Sequence, residues 1–433
     1  MPVTAVVGAQ WGDEGKGHVV DFMASQAHMV IRFQGGDNAG HTVVNNHGKF
    51  ALHLFPCGIF YPHVHNVLGT GMAINPQSFL EEMTMLNDAG LETPSSRLHI
   101  SERAQVVMPY HVLIDGLEEE ARGKHAQGTT KRGIGPCYTD KAARVGLRMG
   151  DLTDAGHLRE YLRHVMDVKN RLLTRVYDHD PLCYDDVLEQ ALAWGKQLAP
   201  YIKNTHPLVQ QALREDKTIL LEGQLGALRD VNWGIYPYVT SSSPIAGGAA
   251  TGAGVPPHRI NNIIGVVKAY TTAVGEGPVP TELDGEMERT LREVGEEYGA
   301  TTGRPRRCGW FDAVAVRYAA ELCGFSSIAV TKIDVLDQLP TLKLCVAYDV
   351  DGTRYETVPD TRLMARAQPV YEEFPGWQAS TTEARAWHDL PPNAQAYLER
   401  ISELTGGLPI SMVGVGPHRN DTLVVDGQHY EVA

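Results

Sequence analysis

Two segments at the start of the chain limit the fold more than any others. Thr4–Gly8 is apolar and β-branched, which predicts a buried strand, and Gly15–Ala27 carries apolar residues at helical spacing. Residues 9–17 join them with the glycine-rich sequence AQWGDEGKG. Glycines between a strand and a helix let backbone N–H groups turn towards an anion, and the start of the helix adds partial positive charge. This order of elements predicts a phosphate-binding loop in an α/β protein.

The loop is similar to a P-loop, but it is not a Walker A motif. Gln10 stands where that motif requires glycine, and Gly17 follows Lys16 where Ser or Thr would hold magnesium. A metal ligand must therefore come from elsewhere, and Asp13 is the obvious carboxylate. The alternative interpretation is a plain strand–helix turn with charged side chains on its surface.

A second glycine-rich loop follows the next predicted strand, Met29–Phe33, and reads QGGDNAGHT over residues 34–42. The carboxyl ends of neighbouring parallel strands open on one crevice, so Asp13 and His41 could face the same ligand. A carboxylate and an imidazole together supply a base and an acid near neutral pH. A lone histidine after a strand is more often a structural hydrogen-bonding residue, and the sequence leaves both interpretations open.

A third pattern lies near the C-terminus, where the predicted strand Ser326–Thr331 runs into Lys332-Ile333-Asp334. Many GTP-binding proteins read guanine with T/N-K-x-D after a strand. The carboxylate accepts hydrogen bonds from N1–H and the 2-amino group of guanine, a match that adenine cannot offer. Four residues are a weak pattern, and a chance match is the alternative.

Two basic stretches stand out in an acidic chain, which has 38 Lys and Arg against 52 Asp and Glu and a net charge of −14. They are residues 128–136, GTTKRGIGP, and residues 299–307, GATTGRPRR. Hydroxyls, glycine and guanidinium groups together suit carboxylate or phosphate capture, although solvated loop charge would look the same. The overall charge argues against a general nucleic-acid binder, because a surface that tracks phosphates is basic.

Strand and helix patterns alternate along the chain and predict an α/β fold with a large, mostly parallel central sheet and helices on both faces. We expect one P-loop-NTPase-like domain over residues 1–433, with a helical excursion over about 76–215 and a small β-hairpin excursion over about 340–360. No apolar run reaches the roughly 18 residues of a membrane helix. Six cysteines without a CxxC pair fit reduced thiols, so we expect a cytoplasmic protein.

Taken together, these loops resemble the adenylosuccinate synthetase family. The matching segments keep the family's order over nearly the whole chain and are residues 10–17, 34–42, 128–136, 236–242 (YPYVTSS), 299–310 and 331–337 (TKIDVLD). The resemblance implies ligation of IMP and L-aspartate to adenylosuccinate in AMP biosynthesis, with GTP as co-substrate, Mg²⁺ as cofactor, and GDP and phosphate released.

The resemblance also implies the chemical roles. Asp13 takes the N1 proton of IMP and binds Mg²⁺ together with the carbonyl of Gly40. His41 is the acid that stabilises the transferring phosphoryl group, and Lys16 holds phosphate charge, which is most of what phosphoryl transfer requires of a protein. The amine of aspartate then displaces phosphate from a 6-phosphoryl intermediate.

Binding roles follow in the same way, and some residues serve more than one ligand. The residues implied for IMP are Asn38, Thr130, Arg144, Gln224, Leu225, Thr240 and Arg304. Those implied for aspartate are Ala300, Thr301, Thr302, Arg304 and Arg306. Those implied for GTP are Gly12, Gly15, Lys16, Gly17, Gly40, His41, Thr42, Arg306, Lys332, Asp334, Gly414 and Gly416. In a homodimer, Arg144 would reach the IMP site of the partner subunit.

One turn departs from the family pattern. The family commonly has G-A-Q-G where this chain has Gly223-Gln224-Leu225-Gly226, so Leu225 occupies the place of an amide that contacts the purine. Either the turn rearranges so that Gln224 serves, or the base is held differently. This leaves two alternative functions open, namely the same ligation on another 6-oxopurine nucleotide such as dGMP, and a GTP-binding or regulatory protein without catalysis.

Overall fold

The computed structural model describes residues 3–299 and 303–425, which contain twenty strands and twelve helices. The strands are β1 (Val3–Gly8), β2 (Met29–Arg32), β3 (His41–Asn45), β4 (Gly48–Leu52), β5 (His65–Leu68), β6 (Ala73–Ile74), β7 (Leu98–Ser101), β8 (Gln105–Val106), β9 (Ile202–Lys203), β10 (Ile219–Gly226), β11 (Asn262–Lys268), β12 (Thr271–Ala273), β13 (Arg307–Gly309), β14 (Phe311–Asp312), β15 (Ser327–Thr331), β16 (Thr341–Val350), β17 (Thr353–Tyr355), β18 (Gln368–Pro375), β19 (Ile410–Gly414) and β20 (Thr422–Val424). The helices are α1 (Lys16–Ala24), α2 (Pro76–Asp88), α3 (Pro109–Arg122), α4 (Ile134–Ala143), α5 (Ala155–Val176), α6 (Tyr184–Leu198), α7 (His206–Arg214), α8 (Ala246–Ala253), α9 (Gly285–Val294), α10 (Ala313–Cys323), α11 (Thr361–Met364) and α12 (Pro392–Leu404).

Ten of these strands form the central sheet, in the order β20-β19-β15-β11-β1-β10-β2-β5-β7-β9. Every neighbouring pair is parallel except β19 and β20, which are antiparallel. The predicted large, mostly parallel sheet is therefore confirmed. Because β15, β11, β1, β10 and β2 are consecutive, the loops after their carboxyl ends meet at one edge.

Both faces of the sheet are covered, as expected. Successive residues of a strand point to opposite faces, so Ala5 lies on one face of β1 and Val6 on the other. Ala5 and Val7 pack in one buried cluster with residues of α8, α10 and α12, whereas Val6 packs in a second cluster with residues of α1, α2, α3 and α5. This double burial explains why β1 is apolar on both faces.

The predicted helical excursion is only partly separate from the sheet. Residues 76–215 do contain helices α2 to α7, but they also contain β7 and β9, which extend one end of the central sheet. The strands are short and lie between long helices, so the periodicity of the helices dominates the sequence pattern there. None of the helices in the described ranges has the length and apolar character needed to span a membrane.

The second excursion is larger than the predicted hairpin. β16 pairs with β17 across Asp351–Gly352 as expected, but β16 also pairs with β18, which carries the antiparallel sheet to Pro375. β14 joins the same sheet, and α10 begins directly after it. Asp312 sets that start, because its carboxylate accepts a hydrogen bond from the backbone N–H of Ala315 at 3.0 Å.

Two stacked histidines lie where β5 and β7 begin, near the amino ends of the parallel strands. His65 Nδ1 lies 3.0 Å from His99 Nε2, so one ring donates and the other accepts. Burial, with help from Lys203 and His65, lowers the pKa of His99 to about 3. Burial and the neighbouring His28 also lower the pKa of His65.

These depressed pKa values make a prediction about acid stability. Above pH 6.5, about the pKa of histidine in the unfolded chain, both rings are neutral in the folded and in the unfolded protein. Below that pH the two histidines take up protons in the unfolded chain but stay neutral in the folded one. We expect the free energy of unfolding to fall by about 1.4 kcal/mol per pH unit for each such proton as the pH drops below about 6.5. Urea unfolding at several pH values measures this, and His99→Asn should flatten the slope. An equal slope in both proteins would contradict it.

Candidate active site

The loops at the carboxyl edge of the sheet enclose a cavity of about 300 Å³. Its walls come from the loops after β1, β2 and β10 and from residues 127–130 and 238–241. Six residues predicted for catalysis, metal binding or IMP binding line this one cavity: Asp13, Asn38, Gly40, Thr130, Leu225 and Thr240. The rule for parallel strands accounts for Asp13, Asn38, Gly40 and Leu225, which lie at or after the carboxyl ends of strands, whereas Thr130 reaches the same space from the segment before α4.

The first loop is organised around a carboxylate that the sequence analysis did not select. Glu14 is fully buried and accepts hydrogen bonds from the backbone N–H groups of Gln10 at 3.0 Å and Gly12 at 2.9 Å. The ammonium of Lys16 lies 2.5 Å from its other oxygen. In this structure Lys16 is therefore 3% exposed and paired within the loop rather than directed into the cavity. The signal that could have identified Glu14 is an acidic residue two positions before Lys16, close enough to pair with its ammonium group.

Asp13 faces the cavity from a strained backbone position. Its φ of 61° lies in the left-handed region, which costs a non-glycine residue free energy. One carboxylate oxygen, Oδ2, accepts a hydrogen bond from Nε of Arg306 at 3.0 Å. Arg306 itself is held from the other side by Glu297, since its second guanidinium nitrogen lies 2.6 Å from that carboxylate. The expected aspartate- and GTP-binding residue Arg306 therefore touches the proposed base directly.

His41 is fixed by two partners that the sequence analysis missed. Its Nδ1 lies 2.6 Å from Oε1 of Glu222, and the Sγ of Cys57 lies 3.2 Å from the same oxygen. Burial lowers the pKa of His41, and the Glu222 carboxylate works against that shift. Burial would raise the pKa of Glu222, but the bond from His41 and the charge of Arg32 hold it below its usual range. Nε2 of His41 is buried and has no hydrogen-bond partner among the described residues.

The segment that departs from the family pattern, residues 223–226, forms the carboxyl end of β10. Gln224 is fully buried, and its amide accepts from the N–H of Gly36 at 3.0 Å and donates to the carbonyls of Gly36 at 2.7 Å and Ala39 at 2.8 Å. It joins the second loop to β10 and does not line the cavity. Leu225, with a φ of 63°, does line it. In this structure Gln224 therefore does not take the place of the family's amide at the cavity.

Gly35 makes this arrangement possible. Its φ of 83° favours glycine, and a Cβ atom there would overlap the Oε1 atom of Gln224. Gly17 has a similar steric role without unusual backbone angles, since a Cβ atom would lie 2.7 Å from the Cβ of His41. The expected GTP-binding residue Gly17 thus allows α1 to pack closely against β3. Thr42, another expected GTP-binding residue, is exposed on β3.

The segment expected to read guanine lies beside the first loop. The hydroxyl of Thr331 donates to the carbonyl of Glu14 at 2.5 Å, and Gly15 packs against the same side chain. Within residues 3–299 and 303–425, Oδ1 of Asp334 is buried and has no hydrogen-bond partner, and burial raises the pKa of this carboxyl to about 6. The ammonium of Lys332 lies 2.9 Å from Glu297.

Of the remaining expected residues, Gly414, Gly416 and Arg304 lie near the loops described above, and Arg144 lies away from the cavity. Gly414 ends β19 next to Thr331, and Gly416 packs against Asp421. The guanidinium of Arg304 donates to the carbonyl of Gly128, a cavity residue, at 3.2 Å. Arg144 is exposed at the end of α4 and does not line the cavity. The predicted aspartate-binding residues outside the described ranges are Ala300, Thr301 and Thr302.

Several buried polar atoms at this edge of the sheet have no hydrogen-bond partner in the part of the chain that the structure describes. They belong to different loops and are Oδ1 of Asn38, Nε2 of His41, Oγ1 of Thr129 and Oδ1 of Asp334. Buried polar groups in folded proteins are nearly always hydrogen-bonded, so groups left over in the loops at this edge of the sheet indicate that polar ligands bind there. Asn38 and Thr129 line the cavity itself, together with the Asp13 carboxylate and the backbone of Gly40.

The fold and the cavity together define a nucleotide-dependent enzyme arranged for group transfer. The model of the adenylosuccinate synthetase family matches residues 5–423. The chain belongs to this family, whose members are ligases that form a C–N bond.

Relatives and solved structures agree with this assignment. The adenylosuccinate synthetase of Dehalococcoides mccartyi is 49% identical over 424 residues, which are 98% of this chain and 100% of the relative. A fully ligated adenylosuccinate synthetase from Plasmodium falciparum matches with a TM-score of 0.92 at 36% identity, over 98% of this chain and 100% of that one. A cyanophage S-2L succinoaminodeoxyadenylate synthetase bound to dGMP and dATP matches at 20% identity with a TM-score of 0.61, over 98% and 95% of the two chains. At that identity the match supports the architecture alone.

Proposed function

We propose that this enzyme ligates IMP and L-aspartate to adenylosuccinate in AMP biosynthesis, with GTP hydrolysed to GDP and phosphate through 6-phosphoryl-IMP. The observation that carries the proposal is the single cavity in which Asp13, Gly40, Asn38, Thr130 and Thr240 meet. The side chains among them offer a base, hydroxyls and an amide to one planar, polar ligand, and Gly40 contributes its backbone. Family membership over residues 5–423 supports the same reaction.

Asp13 is the proposed base. Its Oδ2 is bonded to Arg306, and the carboxylate lines the cavity, where it can accept the N1 proton of IMP. Loss of that proton places negative charge on O6, which then attacks the γ-phosphorus of GTP while GDP leaves. The amine of aspartate attacks C6, the O6–C6 bond breaks, and phosphate leaves with that oxygen. Activating O6 is necessary because an unmodified oxo group is a very poor leaving group.

His41 is the proposed acid towards the transferring phosphoryl group. Since Nδ1 is bonded to Glu222, Nε2 is the nitrogen that remains for the ligand. A neutral imidazole bonded in this way carries no proton on Nε2, so donation there requires the imidazolium. The Glu222 carboxylate favours the imidazolium, and a phosphate group nearby would favour it further.

The residues expected to hold Mg²⁺ fit that ion. The carboxylate of Asp13 and the backbone of Gly40 both border the cavity, and oxygen atoms of these two kinds are ligands that Mg²⁺ prefers. When bound, the ion would neutralise charge on phosphate oxygens.

GTP is proposed to lie along the first loop with its base at Asp334. The unpartnered carboxylate oxygen there can accept a hydrogen bond from guanine, and the neighbouring Gly414 turn leaves room beside Thr331. We assign the other GTP contacts to Gly12, Gly15, Lys16, Gly17, Gly40, His41, Thr42, Arg306, Lys332 and Gly416. For aspartate we assign Ala300, Thr301, Thr302, Arg304 and Arg306, whose hydroxyls and guanidinium groups match two carboxylates.

A ligation assay tests the proposal. Purified protein with Mg²⁺, GTP and L-aspartate is offered IMP, GMP or dGMP in parallel, and the succinylated purine is followed by ultraviolet absorbance and mass. We expect product from IMP. Product from a 2-amino nucleotide instead would overturn IMP as the substrate and would make Leu225, an apolar residue on the cavity wall, the centre of an altered specificity. A parallel arm with ATP in place of GTP tests the role of Asp334.

We also propose that the enzyme acts as a cytoplasmic homodimer. Arg144 and Val145 are exposed at the end of α4. Two large aromatic side chains shortly before the cavity residues 238–241 are also exposed, Trp233 by 55% and Tyr236 by 68%. Exposed aromatic side chains of this size are typical of interfaces. The six cysteines in the described ranges are free, which fits a reducing compartment.

Mixing two inactive variants tests the proposed role of Arg144. If Arg144 completes the partner's IMP site, Arg144→Leu and Asp13→Asn should each be inactive alone. In a mixed dimer, the subunit with intact Asp13 receives an intact Arg144 from its partner. Random exchange should therefore restore about a quarter of the wild-type activity, because half of the dimers are mixed and each has one complete site. No recovery after exchange, confirmed by mass spectrometry of the mixed dimer, would contradict the shared site.

A further inference from the structure

We propose that Glu297 is a positioning residue that fixes Asp13 and the guanine-reading segment in one arrangement. The inference rests on the function proposed above and adds a residue to which that function gives no role. Glu297 follows α9 and precedes the 299–307 stretch, and its side chain is 0% exposed. A buried carboxylate needs a specific reason, because burial without partners is costly.

Four donors converge on this carboxylate. Oε1 accepts from the ammonium groups of Lys268 at 2.8 Å and Lys332 at 2.9 Å, and also from the hydroxyl of Tyr270. Oε2 accepts from Arg306 at 2.6 Å. Burial works to raise the pKa of Glu297, but the three cations outweigh it and hold the pKa well below its ordinary value. The side chain is therefore an anion at neutral pH and acts as the common counterion of three cations.

Two of these cations lead into the active site. Arg306 is bonded on its other side to Oδ2 of Asp13 at 3.0 Å, so Glu297 is one side chain removed from the proposed base. Lys332 lies two residues before Asp334, whose carboxylate is expected to read guanine. Because Arg306 and Lys332 bind the same immobile anion, their positions are linked. Glu297 therefore supports both Asp13, through Arg306, and the guanine-reading segment, through Lys332.

Lys268 provides a matched control inside the same cluster. It is as buried as Glu297, with its side chain 1% exposed, but its second bond goes to the hydroxyl of Thr272 at 2.7 Å and not into the cavity. Glu297→Gln removes the anion and leaves uncompensated buried cations, so it is expected to lower the melting temperature. The double variant Glu297→Gln/Lys268→Met removes one charge of each sign and keeps the net charge of the cluster unchanged.

The decisive measurement compares kinetics with stability across Glu297→Gln, Lys268→Met and the double variant. We expect the double variant to regain melting temperature relative to Glu297→Gln, yet to keep a kcat reduced about 100-fold and a raised KM for GTP, since Asp13 and Lys332 remain unsupported. Lys268→Met alone should change kcat by less than about threefold, because Lys268 makes no contact with the cavity. Recovery of kcat together with melting temperature would show that Glu297 is merely structural and would overturn the proposal.

A binding measurement separates this inference from the proposed reaction. GDP affinity is determined by calorimetry on the same four proteins, wild type included. Absence of product from IMP with the wild-type enzyme would count against the reaction and not against Glu297. GDP affinity in the double variant should fall at least several-fold, and an unchanged affinity would overturn the link to Lys332 whatever the substrate is.

Discussion

Asp13→Asn should abolish ligation without unfolding the protein. Asparagine keeps the shape of the side chain and tolerates the left-handed backbone at φ 61°, and its carbonyl oxygen can still accept the bond from Arg306. It cannot take the N1 proton of IMP. Loss of a general base costs about 10² to 10⁴ in rate, and we expect kcat to fall by about 10³ or more because O6 is not activated. The ligation assay measures this directly.

A second carboxylate serves as the control for Asp13. Asp37 is 2% exposed in the second loop, where it accepts a bond from the hydroxyl of Ser78 at 2.7 Å, and it does not line the cavity. Asp37→Asn should therefore retain activity within a few-fold. GDP binding and melting temperature should be near wild type in both variants. Ligation by Asp13→Asn at a substantial fraction of the wild-type rate would exclude Asp13 as the base.

The second large effect is expected for Glu222→Gln. The substitution keeps the buried shape but removes the anion that favours a protonated His41, whose pKa is already lowered by burial. A group that must be protonated loses its function as the pH rises through its pKa. We therefore expect kcat at neutral pH to fall by about 100-fold and the alkaline limb of the pH–rate profile to move to lower pH. KM for IMP should change little, since Glu222 does not line the cavity.

Cys57 offers the matching control for Glu222. Its thiol lies 3.2 Å from the Glu222 carboxylate, and burial raises the pKa of this thiol well above its ordinary value, so it is neutral. Cys57→Ser keeps a donor at the same place and should leave the pH–rate profile unchanged. A Glu222→Gln enzyme with reduced kcat but an unmoved alkaline limb would mean that Glu222 holds His41 in place without tuning its protonation.

The parts of the site that the sequence predicts are those coded by local patterns. The strand, glycine-rich loop and helix around Asp13 follow from apolar periodicity and glycine spacing. The meeting of Asp13 with Asn38 and Gly40 follows from the rule that parallel strands end at one edge. The position of β10 between β1 and β2 in the sheet could not be predicted from local patterns, because strand order is set by the packing of the whole sheet.

Two of the residues that sequence reasoning missed, Glu222 and Glu297, are buried carboxylates whose partners are distant in the chain. Glu222 lies 181 residues from His41, and Glu297 lies 29 and 35 residues from its two lysine partners. A single acidic residue within an apolar strand such as β10 has no spacing that reveals its partner. The direction of Gln224 was equally open, because it depends on the backbone angles of a turn that only the folded loops determine.

Left-handed backbone angles recur at residues with proposed roles: Asp13, Arg144, Leu225 and Lys332 have φ between 58° and 63°. Each such position costs of order 1 kcal/mol or more, and glycine would relieve it. Random searches for heat-tolerant variants of this enzyme will therefore tend to select changes at these positions. The most thermostable clones from a screen blind to turnover should be enriched in poor catalysts, and a useful screen must select for product at every round.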